Sequence, residues 1–328
     1  MRFYRQPGSS LILVITMFII GFIAAKTNFW YGLFLFLMVF SLSIGYVVLF
    51  HYVGMALMMR GKLDAAITYY TFLLNVPGNK VLIYTRRAAL RNATGDIEGA
   101  IADYSAAIKH TKETDPSLFG IRGALYLGKR DYQHALQDSD QLLQLHPVSE
   151  IGYANRAAAK MFLGDVGGAI DDCNAGLELT KSPSGTALLY NNRGTAFRLT
   201  GEYAEAMANY NLAMSTALSD REKIVIHPTI STNQGILYYL QEDFDNARVY
   251  FQQAHNLNPT FSKALVSLAA ARYKLGQMAA VKQIWNDLLN QEPRYDDIKF
   301  LEGDLNLPKE ILGDVADMMQ MLSVVTKY

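Results

Sequence analysis

One slot recurs through this chain, and it limits the possible folds more than any other feature of the sequence. Gly54, Ala88, Gly123, Ala157, Gly194, Gly235 and Ala269 follow one another at steps of 34, 35, 34, 37, 41 and 34 residues. Each is small enough to let two helices touch. A period near 34 with a small residue at a helix crossing belongs to stacked helix-turn-helix units, none of which can bury its apolar face alone.

The slot, counted as repeat position 8, brings its neighbours with it. Four residues before it stand Phe50, Tyr84, Phe119, Tyr153, Tyr190 and Leu265, with Ser231 departing in the sixth unit. Seven after it, five units place a turn glycine: Gly61, Gly95, Gly164, Gly201 and Gly276. Twelve after it come Ala66, Ala100, Ala135, Ala169, Ala206, Ala247 and Val281, and sixteen after it Tyr70, Tyr104, Ser139, Cys173, Tyr210, Phe251 and Trp285. Pro147, Pro259 and Pro293 close three units. Over residues 47–294 this resembles the tetratricopeptide repeat (TPR) family, W-x2-L-G-x2-Y, then A-x3-F, then P. The resemblance implies an all-α fold of seven antiparallel helix pairs in a right-handed solenoid, with a concave groove lined by the first helix of each pair.

A second regularity lies inside the first. Position 7 carries Arg87, Arg122, Arg156 and Arg193, and sixteen residues later the same units carry Asp103, Asp138, Asp172 and Asn209. Units without the arginine have Tyr69, Tyr250 and Ile284 there instead. Donor and acceptor come and go together, as a pair that fixes helix register within each unit would require.

The formal net charge is zero, but the charges are unevenly spread. Residues 1–59 hold only Arg2, Arg5 and Lys26 and no acid, so 27 of the 30 basic residues and all 30 acidic residues lie beyond. The repeats are therefore slightly acidic, with no basic stripe, which argues against a nucleic-acid partner. After a short segment 1–10, two uncharged apolar stretches at about 8–25 and 29–49, separated by Lys26-Thr27-Asn28, are each near the ~20 residues a spanning helix needs. They read as a transmembrane hairpin over 11–49, with Trp30 and Tyr31 at the interface near its tip. The first repeat helix overlaps the second span, which holds the repeats close to the bilayer. Arg2, Arg5, Arg60 and Lys62 outnumber Lys26, so the repeats are expected on the cytoplasmic side. The competing reading of the first stretch is a secretory signal cleaved after Ala25, where Ile23 fits the −3 position poorly.

Cys173, the single cysteine, takes a core position and reads as filler, so no disulfide framework exists. The longer step between the fifth and sixth slots puts extra residues around Asp220–Pro228, expected as a surface loop. Residues 295–328 form a capping region. Within it Ile311, Leu312, Val315, Met318, Met319, Leu322 and Val325 recur at helical spacing, and Lys309, Glu310, Asp317 and Gln320 face away. A dimer interface or a helix lying on the membrane is the other use such a helix could have.

No chemistry-bearing motif appears. The six histidines are scattered, and no metal, nucleophile-elbow or phosphate-loop spacing occurs. The chain reads as a protein that is not an enzyme and needs no cofactor or metal. On the groove face implied by the family, position 6 gives Asn155, Asn192 and Asn233 in successive units. This is similar to the asparagine ladder of the O-GlcNAc transferase family, where carboxamides hold an extended peptide. A carboxamide both donates and accepts, so it can pair with a peptide bond whatever the side chain; the same asparagines could equally pack helices together. Met55, Met161 and Tyr239 fall on that face, with Met58, Met59 and Phe162, while Arg86, Arg198, Lys263 and Lys274 look dispersed along it. The expected function is a membrane-anchored scaffold whose groove binds a peptide or helix of a partner protein, in assembly of a membrane complex. The alternative is an extracytoplasmic assembly factor of the cytochrome-c-maturation or cell-envelope type.

Overall fold

The structure is a computed structural model that describes residues 53–325 of the 328. Segment 1–10 and the expected hairpin at 11–49 lie outside the described residues. Among the described residues no helix is long and apolar enough to cross a membrane.

The chain divides into two compact units, Met1–Lys129 and Arg130–Tyr328. In the first, residues 53–59 are helical and are followed by α1 (Leu63–Leu73), α2 (Lys80–Ala93), α3 (Ile97–His110) and α4 (Pro116–Gly128). The second holds α5 (Tyr132–Leu145), α6 (Glu150–Phe162), α7 (Val166–Leu179), α8 (Pro183–Leu199), α9 (Tyr203–Ser215), α10 (Asp220–Leu240), α11 (Phe244–Leu257), α12 (Ser262–Lys274) and α13 (Met278–Gln291). A 3-10 turn (Pro293–Asp296), α14 (Ile298–Leu305) and α15 (Lys309–Val325) follow. No strand occurs among the described residues.

Each turn between paired helices is built by two adjacent residues. The first takes a left-handed backbone, which glycine adopts without cost. Two units have no glycine there, and Arg130 (φ 61°) and Glu242 (φ 59°) adopt the same conformation. The second is most often an aspartate that caps the next helix: Asp96, Asp131, Asp165 and Asp243 accept from the backbone N–H groups of Gly99, His134, Gly168 and Asn246.

The pairs close because small residues meet large ones. Ala66, Ala100, Ala135, Ala169, Ala206, Ala247 and Val281 are all fully buried, and Tyr210 and Phe251 are among the largest side chains to be so. A methyl added at Gly235 would sit 2.5 Å from Cε1 of Phe251, and one at Gly194 would sit 2.8 Å from Cε1 of Tyr210. In these two pairs the glycine is the space into which the ring fits.

Two expectations are corrected here. Asp220–Pro228 is no loop: it forms the start of α10, opened by a capping box in which Ser219 and Glu222 satisfy each other's backbone N–H groups. Pro228 lies inside the helix, and Thr232 Oγ1 donates to its carbonyl at 2.7 Å. The capping region also holds one helix more than its periodicity indicated: α14, closed by Asn306 in the left-handed region (φ 48°), precedes α15.

Gly235→Ala is expected to destabilise by about 1–3 kcal/mol through overpacking against Phe251, although alanine is the better helix former. Gly303→Ala in α14, where an added methyl meets nothing within 4 Å, is expected to stabilise by about 0.5–1 kcal/mol. Denaturant unfolding of the two variants checks both signs.

Candidate functional site: the first-helix face and its polar ties

The position-7 arginines reach in two directions. Arg87 donates from Nε to Asp103 Oδ2 at 2.8 Å and from Nη2 to Oδ1 at 2.5 Å, joining α2 to α3. Its Nη1 turns back to Thr71 Oγ1 of α1 at 2.9 Å. Arg156 repeats this, forking to Asp172 of α7 at 3.0 and 2.6 Å and reaching back to Asp140 of α5 at 3.0 Å. Arg193 does so with Asn209 of α9 at 2.8 Å and Asn174 of α7 at 2.7 Å. Arg122 reaches back from α4 to Ser105 of α3 at 2.8 Å. Arg122 and Asp138 fall in different units of the chain, and Asp138 is buried. Each arginine also lies over the ring three residues before it: Tyr84, Phe119, Tyr153 or Tyr190, at 5.2–5.8 Å from the ring centroid.

The backward bond is the part that sequence reasoning missed. Thr71, Ser105, Asp140 and Asn174 all stand seventeen residues after a slot, and so do Asn211 and Gln252. Gln234, at position 7 of the sixth unit, donates to Asn211 Oδ1 at 2.9 Å. Arg272, one helical turn further on in α12, donates to Gln252 Oε1 at 3.0 Å. The signal was a polar residue at each of these positions, but its identity changes from unit to unit.

In the second unit, successive first helices α6, α8, α10 and α12 pack side by side. Two of the ladder asparagines make bonds between them. Asn192 donates to the Ala154 carbonyl at 2.9 Å, and Asn233, buried, donates to Asn191 Oδ1 at 2.9 Å. Asn155 is half-buried on α6. Met161 and Tyr239, expected on the open face, are buried instead. Met161 packs with Ala157, Cys173 and Ala196, and Tyr239 with Phe251 and the residues around α12. Position 12 of the repeat turns inward here because the neighbouring helix covers it. Met55 is exposed in the first unit. Around them Ile151 and Phe162 on α6 and Leu188 and Leu199 on α8 are exposed, Phe162 stacking on the Tyr132 ring with centroids 4.7 Å apart.

Burial pushes the Lys263 amine down to about 8, and the charges of Arg198 and Arg130 add to the shift. Burial pushes the Cys173 thiol up to about 12, so it stays protonated, as suits a core residue. Among the described residues no group of three or more His, Cys, Asp or Glu is placed to hold a metal ion.

This geometry defines a protein of stacked helical hairpins tied by a recurrent polar bond, and the fold is that of tetratricopeptide repeat proteins. Residues 238–302 match the sequence profile of the family described as Tetratricopeptide repeat. A tetratricopeptide repeat protein from Parabacteroides merdae superposes with a TM-score of 0.57 at 19% identity, over 77% of this chain and 96% of that one. Protein FlbA of Caulobacter vibrioides is 33% identical over 138 residues, 42% of this chain and 23% of FlbA. Photosystem I assembly protein Ycf3 of Synechococcus elongatus is 32% identical over 98 residues, 30% of this chain and 54% of Ycf3. The chain thus spans about a quarter of the first relative and about half of the second.

Arg87→Leu is expected to cost about 3 kcal/mol, because it leaves the Asp103 carboxylate buried with Arg91 as its remaining partner. Arg87→Leu with Asp103→Leu is expected to recover at least about half of that loss. Denaturant unfolding measures both, and a double variant no more stable than the single one would contradict the pairing.

Proposed function

We propose that this chain is a membrane-anchored scaffold that holds a partner protein's peptide or helix on its first-helix face, in assembly of a membrane complex. The observation that carries the reading is the exposure of Ile151, Phe162, Leu188 and Leu199 near the ends of α6 and α8, with the half-buried Asn155 and Asn192 between them. Large apolar side chains left exposed on one face and rimmed by polar groups mark interaction surfaces. The fold class supports binding rather than catalysis, and a relative named for photosystem I assembly supports an assembly role. Two uncharged apolar stretches before residue 50 support the anchor, and the flanking positive charges favour repeats on the cytoplasmic side. The extracytoplasmic reading differs only in topology, which a C-terminal reporter active solely in the cytoplasm decides.

Photocrosslinking from native membranes tests the face itself. A crosslinker at Leu188 is expected to capture a discrete partner, whereas one at Val249, more exposed but on a second helix, α11, captures none. Equal capture from both positions, or capture from Val249 alone, overturns the proposal.

A further inference from the structure

The first-helix face changes character along the second unit. On α6 and α8, Asn155, Ala158, Asn192 and Thr195 are half-buried. The corresponding positions on α12, Ser267 and Ala270, are fully buried, and so are Val266 on α12 and Thr232 on α10. What covers this end is the chain's own last helix. α15 packs against α12 and inserts Ile311, Val315 and Met318, each fully buried, into the cluster that contains Tyr239, Val266 and Ala270.

Its polar contacts are as specific as its apolar ones. Asp314 accepts from the Tyr239 hydroxyl at 2.6 Å and from Lys274 Nζ at 3.1 Å. Lys274 lies over the Phe244 ring, 5.3 Å from its centroid. At the other end, Lys263 Nζ donates to the Asn306 carbonyl at 3.1 Å. A helix that merely continued the row of first helices would lie beside α12. α15 does lie beside α12, and its Asp314 adds one hydrogen bond from Tyr239 on α10. The short link 306–308 joins it to α14, whose Leu301 and Leu305 share its buried cluster.

We infer that α15 is a built-in ligand of the first-helix face, and that a partner engages this end of the face by displacing it. The inference rests on the proposed binding role of that face. It specifies the chemistry of the partner: an amphipathic helix with aliphatic residues at i, i+4 and i+7, as in Ile311, Val315 and Met318, and a carboxylate at i+3, where Asp314 meets Tyr239 and Lys274. Such a segment reproduces every contact that α15 gives up, so the exchange costs little beyond bringing the two chains together.

Two measurements on the full-length chain in detergent test this. In hydrogen exchange, α15 is expected to open as a unit of its own, its amides exchanging at least about tenfold faster than those of α12 and α13. In fluorescence anisotropy, a labelled peptide of residues 306–325 is expected to bind the Asp314→Arg variant at least about tenfold more tightly than the wild type, whose own helix competes. Adding Lys274→Glu to that variant is expected to abolish the gain. If α15 exchanges together with α12, it is a fixed part of the core and the inference fails. It fails equally if Asp314→Arg unfolds as cooperatively as the wild type yet gains no peptide binding. Failure of the partner reading is a separate result: peptide exchange would be present while Leu188 crosslinks nothing.

Discussion

The stack depends on a side chain at position 7 that hydrogen-bonds in two directions at once. Arg87 and Arg156 fork onto the second helix of their own pair, Arg193 makes a single bond there, and all three reach back to the second helix of the pair before. Apolar burial is non-directional: it drives helices together without fixing how far one slides along another. Charge-assisted bonds with short, oriented geometry do fix it. Taking such a pair out of water offsets much of its attraction, so these arginines contribute register more than net stability. Where the arginine is absent the backward bond is kept by other means, through Gln234 and Asn211 in one unit and Arg272 and Gln252 in the next.

How far the sequence foretold this follows from which forces act at a distance of one repeat. The small slot, the alanine twelve residues on and the large residue four beyond it all report packing inside one pair, and all are buried as their spacing implied. Packing volume is conserved from unit to unit, so it shows as a period. The backward bond needs only a polar atom in reach, and threonine, serine, aspartate, asparagine and glutamine serve equally, so no period of identity appears. The same tolerance hid the turns at Arg130 and Glu242, which take the left-handed backbone without a glycine. The extra length around Asp220–Pro228 read as a loop because insertions between stacked units usually lie in surface loops, yet the capping box at Ser219 starts a helix there.

The candidate site was legible in outline only. Spacing placed Asn155, Asn192, Asn233, Met161 and Tyr239 on one side of the first helices, but spacing cannot tell an open face from one covered by a distant segment. Tyr239 and Asp314 are 75 residues apart in the chain. The resulting face is uneven: half-buried on α6 and α8, covered by α15 over α12. A partner that engages it meets ready-made surface at one end and a competitor at the other.

A double-mutant cycle on Gln234 and Asn211 tests the central claim most directly, because Gln234 is buried and carries none of the charge that complicates the arginines. With Gln234→Leu, Asn211→Leu and the double variant unfolded in denaturant, a coupling energy of about 1 kcal/mol is expected. Coupling below about 0.3 kcal/mol, within the range of independent sites, would contradict the view that position 7 ties each unit to the one before.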